Sequence, residues 1–93
     1  MSADVYAVPE DHPAFDGHFP GAPLLPGAVL LDEVAARAGF PAEAPVRFSG
    51  VKFRRAVLPG ASLRIQYESS DRGLRFTIVD DDGAVADGRI DPA

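Results

Sequence analysis

The chain is 93 residues long, 46% apolar and 25% charged, with a formal net charge of −5 and no cysteine. One small globular domain over 1–93 is expected rather than disorder, and disulfides, thiolate nucleophiles and cysteine-bound metals are excluded. Lys52 is the single lysine, so the basic footprint that a general nucleic-acid binder needs is missing.

A chain this short buries a limited share of its own surface, and a homodimer is the simplest way to complete the core. The first ten residues lack the basic and apolar segments of a secretory signal, and no stretch has the length of a membrane span. The expected location is cytoplasmic.

In chain order, Asp4 to Val8 reads as a short strand stopped by Pro9. A loop follows to Gly27, punctuated by Pro13, Pro20, Pro23 and Pro26. Between Gly17 and Gly27 lie three prolines and three glycines. Proline fixes φ and glycine opens angles that other residues avoid, so this loop is expected to hold one shape. Ala28 to Gly39 has helical spacing, with Leu30, Leu31, Val34, Ala35 and Ala38 on one face. Gly39 followed by Pro41 is its stop signal.

Two adjacent acids on this helix differ in their neighbours. Glu33 and Arg37 are four apart and are expected to form a solvated ion pair opposite the apolar face. Asp32 has Ala28, Ala35, Ala36 and Gly39 around it on the helix surface. Such small neighbours suggest that something packs closely there, which makes Asp32 the functional candidate.

After Pro45 the apolar period changes to two. Val46 and Phe48 share one parity, and Val51, Phe53 and Val57 the other. The switch at Ser49-Gly50 predicts a β-bulge in one long bent strand that reaches Pro59-Gly60. Leu63, Ile65 and Tyr67 alternate with polar residues, as do Leu74, Phe76 and Ile78 after a turn at Ser70 to Gly73. Asp82-Gly83 predicts a hairpin turn into a last strand, Ala84 to Ile90. One helix with four strands behind it predicts an α+β fold, a curved antiparallel sheet wrapped around a central helix.

The run Gly17-His18-Phe19-Pro20-Gly21-Ala22-Pro23-Leu24-Leu25-Pro26-Gly27, with Asp32 beyond it, resembles the active-site signature of 3-hydroxyacyl-[acyl carrier protein] dehydratases of the FabA/FabZ type. Val51-Lys52-Phe53-Arg54-Arg55-Ala56-Val57-Leu58-Pro59-Gly60 resembles the strand that follows the helix in that family. The resemblance implies the hot-dog fold. It also implies roles: His18 as the catalytic histidine, Asp32 as the catalytic acid, and Gly27 as the glycine whose N–H holds the thioester carbonyl. Ala28, Phe19 and Pro26 are placed with Gly27 as substrate-binding residues. The histidine and acid that meet come from different subunits in the family, so a shared site in a homodimer is implied, with acyl carrier protein as the partner.

The chain also departs from the family. Ala36 stands where FabZ-like members carry a glutamine, Ala28 where FabA has a cysteine, and the early helix and first hairpin are missing. In these respects it is similar to the compact ApeI-like dehydratases.

The chemistry agrees with these residue types. Removing a proton beside a carbonyl needs a base near neutrality, which histidine supplies. Loss of hydroxide needs a donor, and a carboxyl group can be one where desolvation favours its protonated form. Backbone N–H groups at a helix start stabilise charge on the carbonyl oxygen. No metal or organic cofactor is called for. Leu24, Leu25, Phe15 and Phe19 are candidates for an acyl slot, and Lys52, Arg54, Arg55 and Arg37 for a basic patch that docks an acidic carrier.

Other readings are weaker. A metal site from Asp11, His12, Asp16 and His18 is disfavoured by its loop spacing, and Asp80 to Asp82 reads as a solvated hairpin tip. A hot-dog thioesterase and a non-catalytic acyl or partner-binding hot-dog protein are the alternatives to a dehydratase.

Overall fold

The computed structural model describes residues 2–9, 11, 27–71 and 73–93. Strand β1 (Ser2–Ala7) precedes helix α1 (Gly27–Arg37), and then come β2 (Val46–Phe53), β3 (Ser62–Ser70), β4 (Gly73–Asp80) and β5 (Gly83–Pro92). The strands form one antiparallel sheet in the order β1-β3-β4-β5-β2. The helix lies on one face of it, as the α+β reading requires.

Alternation decides which face is inside. In β3, Leu63, Ile65 and Tyr67 are buried, while Ser62, Arg64, Gln66 and Glu68 between them are exposed. Phe76 and Ile78 of β4 and Val85, Ala86 and Ile90 of β5 join them, and Leu30 and Val34 fill the same core from α1. Each large side chain removed fully from water contributes roughly 1.5–3 kcal/mol. Phe48 of β2 meets Phe76 edge-on, with ring centroids 6.1 Å apart.

The helix stop has a defined geometry. Gly39 sits at φ 94°. Its N–H donates to Ala36 O at 3.1 Å, and Phe40 N–H donates to Ala35 O at 3.1 Å. This bond pair closes a helix through a left-handed residue, for which glycine has no steric cost. The buried hydroxyl of Tyr67 also donates to Val34 O at 2.9 Å, tying the middle of α1 to β3. Burial, with the nearby charge of Asp4 adding to it, pushes the Tyr67 phenol up to about 12, so it stays protonated as a donor.

The bulge in β2 is present: the register against β5 shifts between Ser49 and Lys52, with Gly50 at φ 60°. The bulged strand comes so close to β5 that a Cβ at Gly88 would stand 2.9 Å from Val51 Cγ2 and 3.0 Å from Val51 Cα.

Two expectations need correction. The long strand does not continue to Val57. It ends at Phe53, because the N–H groups of Arg54 and Arg55 both turn to one acceptor, Val85 O, at 2.7 and 3.4 Å. Val57 is buried from the loop beyond instead. The β4–β5 turn is centred one residue earlier than Asp82-Gly83. Asp80 pairs with Gly83, leaving Asp81 and Asp82 as the loop, and the Asp80 carboxylate accepts the Asp82 N–H at 2.7 Å.

Candidate active site

Helix α1 positions two of the candidate residues. Gly27 is its first residue, where backbone N–H groups have no partner within the helix. Asp32 lies further along α1, exposed, at the edge of an open groove of about 490 Å³. The groove runs past Ala35 and Ala36 towards Phe40, Ala42 and Val46. The small residues around Asp32 therefore border open space, and Asp32 itself is exposed. His18, Phe19 and Pro26 lie outside the described residues, as do His12, Phe15, Asp16, Leu24 and Leu25. Ala28 is on α1 beside Gly27 and is exposed.

The reason for a glycine at 27 is visible in the packing. A Cβ there would stand 2.7 Å from Cζ of Phe53 and 3.1 Å from both Cε atoms. The tip of the Phe53 ring thus rests against the Cα of Gly27. The sequence reading missed Phe53 as a member of the site. Its parity with Val51 marks an inward side chain, but nothing in a linear pattern says that the ring lands on a helix start 26 residues earlier.

Glu33 and Arg37 form the expected pair, with Arg37 Nε to Glu33 Oε1 at 2.8 Å, but they are only partly open to solvent. Arg37 Nη1 also reaches Asp4 Oδ2 at 3.0 Å and Val5 O at 3.1 Å, and the guanidinium lies 4.8 Å above the Tyr6 ring centroid. Through these contacts this face of the helix meets β1, an edge strand. Glu33 is thus engaged in holding the helix, and of the two neighbouring acids only Asp32 borders the groove.

The basic patch is mostly committed elsewhere. Arg54 Nε bonds Asp87 Oδ2 at 2.9 Å. Arg55 bonds Asp80, Ala84 O and Gly83 O, clamping the β4–β5 hairpin. That contact, with the Asp82 N–H adding to it, holds the Asp80 carboxyl below the usual carboxylate range. With Arg37 bound to β1, three of the four expected docking cations already carry carboxylate partners.

Among the described residues no cluster of three or more histidine, cysteine or acidic side chains has the arrangement of a metal site, and no helix is long and apolar enough to cross a membrane.

A family model for ApeI-like proteins, described as ApeI dehydratase, matches residues 2–89. The 3-hydroxyacyl-[acyl-carrier-protein] dehydratase FabZ of Klebsiella pneumoniae and that of Salmonella arizonae are each 35% identical over 95 aligned residues, covering 86% of this chain and 60% of theirs. The chain thus spans about three-fifths of the length of these curated relatives. Among solved structures, the dehydratase heterocomplex ApeI:P from Xenorhabdus doucetiae superposes with a TM-score of 0.74 at 29% identity, covering 95% of this chain and 82% of that one. An uncharacterized protein from Erwinia carotovora subsp. atroseptica gives the same score and identity, covering 97% and 82%. With these neighbours, the curved five-stranded sheet and its helix are the hot-dog fold expected from the sequence.

Proposed function

The chain belongs to the ApeI-like dehydratase family, and from that premise we propose that it eliminates water from 3-hydroxyacyl thioesters, carried on acyl carrier protein, to give trans-2-enoyl thioesters. The reading treats 1–93 as a single domain that works in the cytoplasm as a homodimer, with His18 of one protomer meeting Asp32 of the other. The observation that carries it is the pairing on α1 of a helix start at Gly27 with an exposed carboxylate, Asp32, at the edge of an open groove.

The steps follow from the residue types. His18 takes a proton from the carbon next to the thioester carbonyl. Negative charge moves to the carbonyl oxygen, where the Gly27 N–H at the helix start stabilises it. The electron pair then forms the C2–C3 double bond as the C3–O bond breaks, and the Asp32 carboxyl donates the proton that lets hydroxide leave as water. The two groups exchange the proton back before the next cycle. Ala28, Phe19 and Pro26 border the substrate in this assignment. Lys52 remains exposed for contact with an acidic carrier, while the paired arginines would first have to release their carboxylates.

The test is hydration of a 2-enoyl thioester, the reverse reaction, by the wild type, His18→Ala and Asp32→Asn. Turnover by the wild type that falls at least about 100-fold in each variant supports the proposal. Release of free thiol makes the protein a thioesterase, and substrate binding with neither product makes it a non-catalytic binder; both overturn it.

A further inference from the structure

Phe53 has no task in the reaction proposed above, yet its position is unusual for the sheet. It is the last residue of β2, with its Cα opposite Ala86 of β5. Ala86 is fully buried, so Phe53 points to the face on which the helix lies. The inward residues of β3 and β4, Leu63 to Ile78, are at most 6% exposed where they are buried, but Phe53 is 50% exposed. Its ring tip lies against the Gly27 backbone, and about half of the side chain is exposed.

The direction of that contact matters. Cα–Cβ bonds in a helix tilt towards its N-terminus. A ring seated where a Cβ of residue 27 would be therefore stands beside the space in front of the first helical N–H groups. A carbonyl oxygen accepting the Gly27 N–H would lie about 3 Å from that nitrogen. The carbon bonded to the carbonyl then follows within reach of the ring. The ring has only two rotatable bonds, so in this rotamer it presents a stiff edge to whatever occupies the helix mouth.

We propose that Phe53 is a specificity-determining residue that walls one flank of the helix mouth and restricts the carbon next to the bound thioester carbonyl to one without a branch. The inference rests on the dehydratase reading. Steric discrimination of a single methyl group by a fixed wall is worth about 10- to 200-fold in kcat/KM.

The experiment compares hydration of an unbranched 2-enoyl thioester with its 2-methyl counterpart. The wild type is expected to prefer the unbranched substrate, and Phe53→Ala to compress that preference at least tenfold. Phe53→Tyr, which keeps the ring, is expected to retain it. Phe53→Leu is the second variant should alanine prevent folding, judged by far-UV circular dichroism. An unchanged preference in a folded Phe53→Ala or Phe53→Leu protein overturns the inference and leaves the dehydratase reading intact, as does a wild type that takes both substrates equally. A wild type that hydrates neither sinks the dehydratase reading, and this inference with it.

Discussion

The ring tip of Phe53 occupies the space a side chain at Gly27 would need, with 2.7 Å between Cζ and the position of a Cβ at residue 27. The glycine is required by the strand as much as by any ligand. Gly27→Ala should push the Phe53 ring tip aside and destabilise the fold by about 1 kcal/mol, the low end of the cost of adding a methyl group to packed atoms, because the ring is half exposed. Phe53→Leu should relieve part of it. A double-mutant cycle read by urea denaturation should show at least ~0.5 kcal/mol of coupling; simple additivity would mean that the two do not press on each other.

Tyr67→Phe keeps the ring in the core and removes the bond to Val34 O. Urea midpoints at neutral pH should fall by the equivalent of about 0.5–1.5 kcal/mol. The pH dependence has a definite sign. The folded-state phenol titrates near 12, above the ordinary value of 10.0. Its contribution is therefore complete below pH 10 and is lost as the pH rises towards 12. The wild type should lose stability over that window more steeply than Tyr67→Phe, and parallel curves would refute the assignment.

Arg37 joins Glu33, Asp4, Val5 O and the Tyr6 ring, and so fastens the last turn of α1 to the edge strand. Arg37→Met retains most of the stem and loses the charge. Thermal denaturation should show a loss of about 1 kcal/mol at low salt that shrinks in 1 M salt, since the network is only partly shielded from solvent. A loss independent of salt would assign the effect to packing.

Gly88→Ala is the corresponding test of the bulge. The added methyl would meet Val51 Cγ2 at 2.9 Å and Phe76 Cε2 at 3.1 Å. A destabilisation of about 1–3 kcal/mol is expected, with Val51→Ala partly compensating. If Gly88→Ala unfolds at the wild-type urea midpoint, the close approach of β2 to β5 is wrong.

Much of this architecture was legible in the linear pattern. The period-two runs at Leu63-Ile65-Tyr67 and Phe76-Ile78 gave the inner face, and the parity switch at Ser49-Gly50 gave the bulge, because a pleated strand has only two sides. Gly39 announced the helix end through the one backbone angle that other residues resist. Where the strand after the bulge would end was not legible. That depends on Arg54 and Arg55 sharing the carbonyl of Val85, a partner 30 or more residues away. The partial shielding of the Glu33–Arg37 pair was hidden for the same kind of reason: helical spacing tells which residues share a side, and only the contact with β1 decides how wet that side is. At the candidate site, small neighbours set Asp32 apart from Glu33 in the sequence, and in the structure Asp32 borders the groove while Glu33 pairs with Arg37; Phe53 came into view only through its landing on Gly27.

Asp32 is exposed on α1, at the edge of the groove. Were a second copy of the protein to cover it, the competent state would be governed by mass action. Specific activity per mole of chain would fall on dilution below the dissociation constant and recover on concentration, so that this small protein's output would scale more steeply than its abundance.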